Sequence, residues 1–207
     1  MPRWSQLLDK VSESKTVAIS DKARQMQQSG ISVVNLGGGD PDFNTPEHIA
    51  KAGIAAIEKG MTHSVDSRGL PDLRKAVSAK FQRENGVTYD ADKEIIATAS
   101  GKLALYIGLM GIVDAGDDVL IIEPAWVSYA PLVTLLGGTP VPVALDPADN
   151  FTLSRAALDA AATPRTKAVL VTSPHNPCGR VTVPYTPPTP PTQRLVEPSR
   201  AALCPTP

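Results

Sequence analysis

Short runs of β-branched residues alternate with longer stretches of helical periodicity from Ile31 to Thr172. Two of the short runs, DDVLIIE and KAVLVT, are continuously apolar at their centres, which is typical of strands that helices cover on both faces. When strands and helices alternate along a chain, consecutive strands usually lie parallel in one sheet. The sequence therefore predicts an α/β fold, with a mostly parallel sheet flanked by helices.

Proline and glycine mark the ends of two predicted helices. The first is expected to begin at Pro46, with Thr45 as its N-cap, and to end at Gly60. The second is expected to begin at Pro71 and to end at Gly86. The predicted strands are ISVVNL, EIIATAS, DDVLIIE, TPVPVAL and TKAVLVTS, and further helices are predicted in GKLALYIGLMGIV, WVSYAPLVTLLGG and SRAALDAAA.

The composition argues against several classes of function. The 207 residues include 20 Lys and Arg and 21 Asp and Glu, so positive and negative charges nearly balance. General nucleic-acid binders and anionic-membrane binders instead show a basic patch or run. No stretch approaches the ~20 apolar residues of a membrane span, and the N-terminus lacks the apolar core of a signal peptide. With only two cysteines, these features predict a cytoplasmic protein. The scattered His48, His63 and His175 show no metal-ligand spacing, so we expect no metal site.

The composition changes at about Val183. Residues 184–207 contain eight of the chain's 20 prolines, a density that prevents both a helix interior and a central strand. We expect this segment to be extended or disordered. It is either a PxxP ligand for an SH3-type groove or a non-native end, such as a frameshifted reading frame; the second interpretation is favoured.

The candidate phosphate-binding stretch is TASGKLALY, where a predicted strand passes into a helix. Ser100 and Gly101 allow close approach to the backbone, and the following helix offers unpaired N–H groups and the positive end of its dipole. Strand–helix junctions also favour Ser-Gly for structural reasons, so these residues alone leave both interpretations open. A nucleotide-binding P-loop is excluded, because Ile96 stands at its first glycine and Leu103 replaces the required Ser or Thr.

Two further candidate site residues each follow a predicted buried strand. Trp126, in EPAWVSYAP, lies where ligands collect in open α/β sheets, and its indole can stack on an aromatic cofactor or pack a helix onto the sheet. Asn176 lies between Pro174 and Pro177, and its amide can bind a ligand through both donor and acceptor or form a structural Asx-turn. The glycines of NLGGGDPDFNTP, which end at Gly39, indicate a turn with tight backbone approach or a flexible loop.

In this order and spacing, these stretches resemble the class I/II aminotransferases, the pyridoxal-phosphate enzymes of the aspartate aminotransferase fold (fold type I). The matching segments are LGGGDPDFNTPEHI, RGLPDLRKAV, ASGKLALY, EPAWVSYAPLV and TPRTKAVLVTSPHNPCGR, within a likeness that runs from about Val17 to Val181. The resemblance implies pyridoxal 5'-phosphate as cofactor, an amino acid and a 2-oxo acid as substrates, and a homodimer. It also implies a small-domain and arm segment over residues 1–45 and a large-domain segment over residues 46–183.

The resemblance assigns roles to individual residues. The turn Ser100–Lys102 matches the cradle of the cofactor phosphate, with Lys102 contributing its backbone. Trp126 matches the aromatic residue that stacks on the pyridine ring, and Asn176 matches the asparagine that binds the cofactor's 3-hydroxyl oxygen. Gly39 matches the glycine whose backbone meets the substrate carboxylate, and Trp126 and Asn176 also line the substrate position.

The sequence departs from the family pattern at several points. Ser64 stands where a tyrosine usually reaches the neighbouring subunit's cofactor phosphate, and Cys178 replaces a threonine. After Val181 there is no match to the aspartate that pairs with the pyridinium nitrogen, to the Schiff-base lysine or to the arginine that grips the substrate carboxylate. The only cations of residues 184–207 are Arg194 and Arg200.

These departures lead to two expectations for function. The first is a truncated aminotransferase family member that contains no catalytic residue of its own and is inactive as this chain. The alternative is a non-catalytic domain that acts at most as a binding or dimerising module. A lyase of the same cofactor fold also remains open, because the residues that distinguish it lie mostly in the part of the pattern that has no match.

Overall fold

The structure, a computed structural model, describes residues 5–6, 8–11, 14–39 and 41–181. Its helices are α1 (Lys15–Gln28), α2 (Glu47–Glu58), α3 (Pro71–Asn85), α4 (Gly101–Met110), α5 (Tyr129–Leu135) and α6 (Arg155–Ala161), and its strands are β1 (Asp118–Glu123), β2 (Thr139–Ala144) and β3 (Thr166–Leu170). Within these ranges, no helix is both long and apolar enough to cross a membrane. The predicted lack of structure in residues 184–207 concerns residues outside the described ones.

The three strands form a parallel sheet in the order β2-β1-β3. Alternate residues of β1 are buried on opposite faces because successive side chains of a strand point to opposite sides. Val119 and Ile121 pack with residues of α4 and α5, whereas Leu120 and Ile122 pack with residues of α6. The predicted parallel sheet with helices on both faces is confirmed.

Helix ends follow the sequence signals closely. Helix α3 begins at Pro71 and has Gly86 as its C-cap, with a φ of 67° that a glycine adopts without strain. Helix α2 begins one residue later than predicted: Pro46 is its N-cap, with an extended ψ of 138°, and Thr45 lies outside the helix. It also ends earlier than the predicted Gly60, because Glu58 is its last residue and Lys59 its C-cap.

Two predicted strands are wrong. The segments ISVVNL (31–36) and EIIATAS (94–100) contain no strand, because neither is paired with a strand in the part of the chain that the structure describes. Apolar β-branched residues favour an extended backbone, but a strand needs a partner for its N–H and C=O groups. Helix α1 was not predicted. Of its residues, Ala23 is buried.

The chain divides into two compact units. One contains the described residues up to Gly37 together with those from Ser100 onward, and it holds α1, α4–α6 and the sheet. The other, Gly38–Ala99, holds α2 and α3. The predicted division into segments 1–45 and 46–183 stays a prediction.

Arg74 connects several segments of the Gly38–Ala99 unit through buried polar contacts. Its side chain is almost fully buried, with the residue 2% exposed, and its Nε donates to the carbonyl of Ala91 at 2.9 Å. The guanidinium also donates to the carbonyl of Gly69 and to Asp92 Oδ1, and it lies 3.6 Å from Asp66 Oδ1. A buried guanidinium needs such partners because an unpaired buried charge is costly. Arg74 thereby joins α3 to the two loops that flank it in sequence.

Asp118 has a comparable role at the start of β1. Its carboxylate is 1% exposed, accepts a hydrogen bond from the Thr163 hydroxyl at 2.5 Å and lies 3.2 Å from Arg165 Nη2. The backbone N–H of Asp118 donates to the carbonyl of Arg165 at 2.9 Å. These bonds connect the start of β1 to the turn that precedes β3.

We expect Asp118→Asn to lower the free energy of unfolding by about 1–3 kcal/mol, because a buried group loses its charge-assisted partners. The matched control is Asp159→Asn, which removes an exposed carboxylate 2.9 Å from Arg155 Nε and should cost less than about 0.5 kcal/mol. Urea denaturation of the two variants measures the difference. Equal losses would show that the Asp118 carboxylate does not support the sheet.

We also expect acid to weaken the Gly38–Ala99 unit through Asp66. A hydrogen bond from the Arg68 backbone N–H, and then the charges of Arg74 and Arg68, lower the pKa of Asp66 below its ordinary value of 3.8, against a partial burial that raises it. Because the pKa of Asp66 is lower in the folded state than in the unfolded chain, the ionised Asp66 carboxylate stabilises the unit above pH 3.8. This stabilisation is lost as the pH falls through the folded-state pKa.

The thermal midpoint of the wild type should therefore exceed that of Asp66→Asn at neutral pH, and the gap should close as the solution becomes strongly acidic. Asp42→Asn is the control for a simple change of net charge, because Asp42 is exposed and has no ion pair or hydrogen bond among the described residues. A gap between wild type and Asp66→Asn that is constant over this pH range would contradict the prediction.

Candidate functional site

The loops that follow β1 and β3 emerge side by side. Because β1 and β3 are adjacent and parallel, their carboxyl ends, at Glu123 and Leu170, lie at the same edge of the sheet. Trp126 follows β1 and Asn176 follows β3, and the strand order reverses about β1. In open α/β sheets, this edge at such a reversal is where ligands bind.

Helix α4 brings its N-terminus to this edge. Ser100 is its N-cap, in an extended conformation with φ −168° and ψ 161°, and the Ser100 hydroxyl accepts a hydrogen bond from the Leu103 N–H at 3.2 Å. The first turn of a helix has N–H groups without intrahelical partners and carries the positive end of the dipole. Ser100, Gly101 and Lys102 are all exposed, so this turn is accessible to an anion.

A side-chain contact shows that the N-terminus of α4 and the loop after β1 are close neighbours. The ammonium nitrogen of Lys102 lies 5.3 Å from the centre of the Trp126 ring, within the range of a cation–π interaction. Trp126 is half-buried, and part of it packs against the core beside α4 and α5. Two of the predicted site stretches are thus brought together by the fold.

Tyr129 connects the loop after β1 to the end of β3. Its ring meets the Trp126 ring edge-on, with centroids 5.4 Å apart and planes at 84°. Its hydroxyl shares a hydrogen bond of 2.5 Å with the hydroxyl of Thr172, which lies two residues after β3. Tyr129 is 9% exposed, so both contacts are largely shielded from water.

The Asn176 loop is a closed turn. The N–H of His175 donates to the carbonyl of Arg180 at 2.7 Å, and the N–H of Gly179 donates to the carbonyl of His175 at 2.7 Å. Gly179 has a φ of 70°, a conformation that disfavours other residues. Within this turn Asn176 is exposed, which leaves its amide accessible to a ligand, and Cys178 is half-buried.

His175 lies in the same turn, and the sequence pattern assigns it no role beyond the absence of metal-ligand spacing. It is 5% exposed, and its Nδ1 is buried with no hydrogen-bond partner among the residues that the structure describes. A histidine between prolines in a polar stretch gives no sign of burial in the sequence. Tyr129 and Thr172 were likewise not predicted, because the bond between them spans 43 residues.

The remaining candidate residues lie in the other unit. Gly39 and Ser64 are both exposed and both belong to Gly38–Ala99. The candidates Ser100, Gly101, Lys102, Trp126 and Asn176 all lie in the unit that holds the sheet, and their cofactor-binding roles, like the role expected of Gly39, stay predictions.

Several solved structures that superpose on this chain are named aminotransferases. The chain superposes on the aspartate aminotransferase of Thermus thermophilus solved with maleate with a TM-score of 0.82 and 39% identity, covering 86% of this chain and 46% of that one. It also superposes on the alanine aminotransferase of Pyrococcus furiosus with a TM-score of 0.81 and 34% identity, covering 87% of this chain and 46% of that one. The fold is that of aspartate aminotransferase, fold type I.

Sequence relatives agree with the structures. The chain is 45% identical over 172 residues to the probable aspartate/prephenate aminotransferase of Rhizobium leguminosarum bv. phaseoli, covering 83% of this chain and 43% of the relative. It is 43% identical over 175 residues to the aspartate/prephenate aminotransferase of Cereibacter sphaeroides, covering 84% of this chain and 44% of the relative. The chain thus spans less than half the length of these relatives.

The family model for aminotransferase class I and II matches residues 31–185. The matched range contains every candidate site residue, and it ends close to Val183, where the composition changes. Enzymes of this family depend on pyridoxal phosphate. The chain belongs to the class I and II aminotransferases.

Proposed function

We propose that this chain supplies the cofactor-cradling part of a pyridoxal-phosphate-dependent aminotransferase, which transfers an amino group between an amino acid and a 2-oxo acid. One observation carries the proposal: the N-terminus of α4 and the indole of Trp126 are in contact through Lys102, at the sheet edge from which the Asn176 loop also emerges. An anion site, an aromatic face and an amide side chain suit the phosphate, the ring and the 3-oxygen of a phosphorylated pyridine.

The described residues fit the cofactor group by group. The first turn of α4 and the Ser100 hydroxyl would hold the phosphate, because a helix N-terminus binds anions through its unpaired N–H groups. The Trp126 indole would stack on the pyridine ring. The Asn176 amide would donate to the ring's 3-oxygen, and the closed turn around it limits how far that amide can move.

When bound, pyridoxal phosphate supplies the electron sink for the carbanion formed at the amino acid's α-carbon. The residues of this chain would hold and orient the ring, and no lysine of the sequence matches the family's Schiff-base lysine. General-base catalysis requires a residue within hydrogen-bond reach of the proton that moves. We therefore infer that the 207-residue chain binds the cofactor non-covalently and does not turn over amino acids.

The substrate class is proposed at the level of amino acid and 2-oxo acid. Among similar proteins, some are named for aspartate and prephenate and one for alanine, so the likeness does not select one substrate. The cytoplasmic location and the homodimer expected from the resemblance stay predictions.

The second candidate function is a non-catalytic binding or dimerising module. Exposed apolar side chains on and beside α2, at Ile54, Ile57 and Met61, favour association with another surface. This candidate predicts self-association without cofactor binding, whereas the aminotransferase proposal predicts binding of a phosphorylated pyridine.

Two helix N-caps provide a matched test of the phosphate cradle. Ser100 accepts from the Leu103 N–H at 3.2 Å, and Ser154 accepts from the Ala157 N–H at 3.1 Å at the start of α6. We expect Ser100→Ala and Ser154→Ala each to cost about 1 kcal/mol of stability as lost caps. Only Ser100→Ala should weaken binding of pyridoxine 5'-phosphate, by about tenfold, because a hydrogen bond to a charged group contributes ~1.5–3 kcal/mol.

Pyridoxine 5'-phosphate is the suitable probe because it lacks the aldehyde that reacts with surface lysines. Quenching of Trp126 fluorescence reports binding in a Trp4→Phe background, which removes the only other tryptophan. Unphosphorylated pyridoxine should bind much more weakly. Equal affinity for the two ligands, or equal weakening by both serine variants, would contradict the phosphate site.

We expect pyridoxal phosphate followed by borohydride to label no single lysine of this chain stoichiometrically, and we expect no transfer between an amino acid and a 2-oxo acid. Peptide mass spectrometry of the reduced protein and a coupled transaminase assay measure the two outcomes. Turnover, or one stoichiometric adduct at Lys102, would show instead that this lysine is catalytic rather than part of the phosphate cradle.

A further inference from the structure

Backbone pairing between β1 and β3 stops before the site begins. The last paired residues are Ile121 and Leu170, so the loops that carry Trp126 and Asn176 continue beyond the ladder. Beyond this point the ladder does not hold the two loops together, so side-chain contacts between them contribute to their relative position. Among the described residues, Tyr129 makes such contacts with both loops at once.

The two contacts of Tyr129 differ in kind. Its ring packs edge-on against Trp126, an arrangement that favours one orientation of the indole over others. Its hydroxyl bonds to Thr172, which lies three residues before the turn that His175 and Arg180 close. The hydroxyl is attached to a ring that is already packed in the core beside Leu132 and Val133, so the position of the Tyr129 oxygen is well defined.

We propose that Tyr129 is a positioning residue, which couples the orientation of the Trp126 indole to the position of the loop that carries Asn176. The proposal rests on the cofactor site proposed above and adds to it a residue that acts through Trp126 and Thr172. Breaking the Tyr129–Thr172 bond lets the two loops move independently, so the indole and the amide no longer meet the same bound ring at once.

A purely structural role for Tyr129 predicts something different. A core aromatic with a satisfied hydroxyl would contribute to stability, and its replacement would lower the stability of the unit without a selective effect on Trp126. Tyr129→Phe separates the two interpretations because it keeps the ring and its edge-on contact and removes only the hydroxyl.

The experiment uses the full chain with Trp4→Phe, so that Trp126 is the only tryptophan. The variants are Tyr129→Phe, Thr172→Val and both together. The control is Tyr106→Phe, because Tyr106 packs against the same core cluster and its hydroxyl makes no hydrogen bond within the described part of the chain. The readouts are the near-ultraviolet circular dichroism of Trp126, which depends on the asymmetry of its surroundings, and the Kd of pyridoxine 5'-phosphate.

Tyr129→Phe and Thr172→Val should each reduce the Trp126 dichroism band and raise the Kd about three- to tenfold. The double variant should be no worse than either single variant, because both remove the same bond. Tyr106→Phe should leave the band and the Kd unchanged. Additive effects of the two variants, or a Tyr129→Phe result that equals the control, would overturn the proposal.

The two readouts keep this proposal separate from the proposed function. If the parent protein does not bind pyridoxine 5'-phosphate, the cofactor site is wrong, and the dichroism of Trp126 still decides whether Tyr129 orients the indole. If the parent binds and the Tyr129 and Thr172 variants match the control, the cofactor site stands and the positioning role fails.

Discussion

Strand β1 is covered on both faces, by α4 and α5 on one side and by α6 on the other, and the other elements of the sheet unit are placed relative to it. Burial of apolar side chains contributes roughly 1.5–3 kcal/mol for each fully buried Val, Leu or Ile, and β1 contributes four such residues in succession. Because β1 is central, β2 and β3 pair on its two sides, and the strand order reverses about it. The edge at which a ligand can bind is a consequence of this arrangement.

Each residue of the candidate site is, by itself, weak evidence of a cofactor-binding function. A serine-capped helix, a tryptophan after a strand and an asparagine between prolines each have a structural explanation of their own. Their meaning comes from proximity: the Lys102 ammonium lies over the Trp126 ring, and Tyr129 bonds to the strand end that leads to Asn176. A phosphorylated pyridine presents an anion, an aromatic face and a polar oxygen. A helix N-terminus, an indole and an amide are the kinds of group that bind these three features.

Several features could be predicted from residues close together in sequence, and several could not. Pro71 and Gly86 mark α3 because proline suits the first turn of a helix and glycine suits its left-handed cap. The stretches ISVVNL and EIIATAS have strand-like composition but no paired neighbour among the described residues, so their local preference is not realised. The burial of Arg74 was also unexpected, because the carbonyl of Ala91 that its Nε reaches lies 17 residues away in sequence.

By itself, the sequence determined the class of fold and the positions of the three strands that do pair, because these depend on local periodicity and turn residues, although the same signals also predicted two strands that do not form. Its motifs carried the resemblance to the family, and the roles expected of the five cofactor-site candidates follow from that resemblance. Only the tertiary structure decided that the Lys102 ammonium lies over Trp126, that His175 is buried, and that Tyr129 bonds to Thr172. These are contacts between side chains far apart in sequence, and their geometry depends on how β1 and β3 pair and how the helices pack on them. Local composition carries no information about such distances, because the same residues suit several partners until the sheet brings particular ones together.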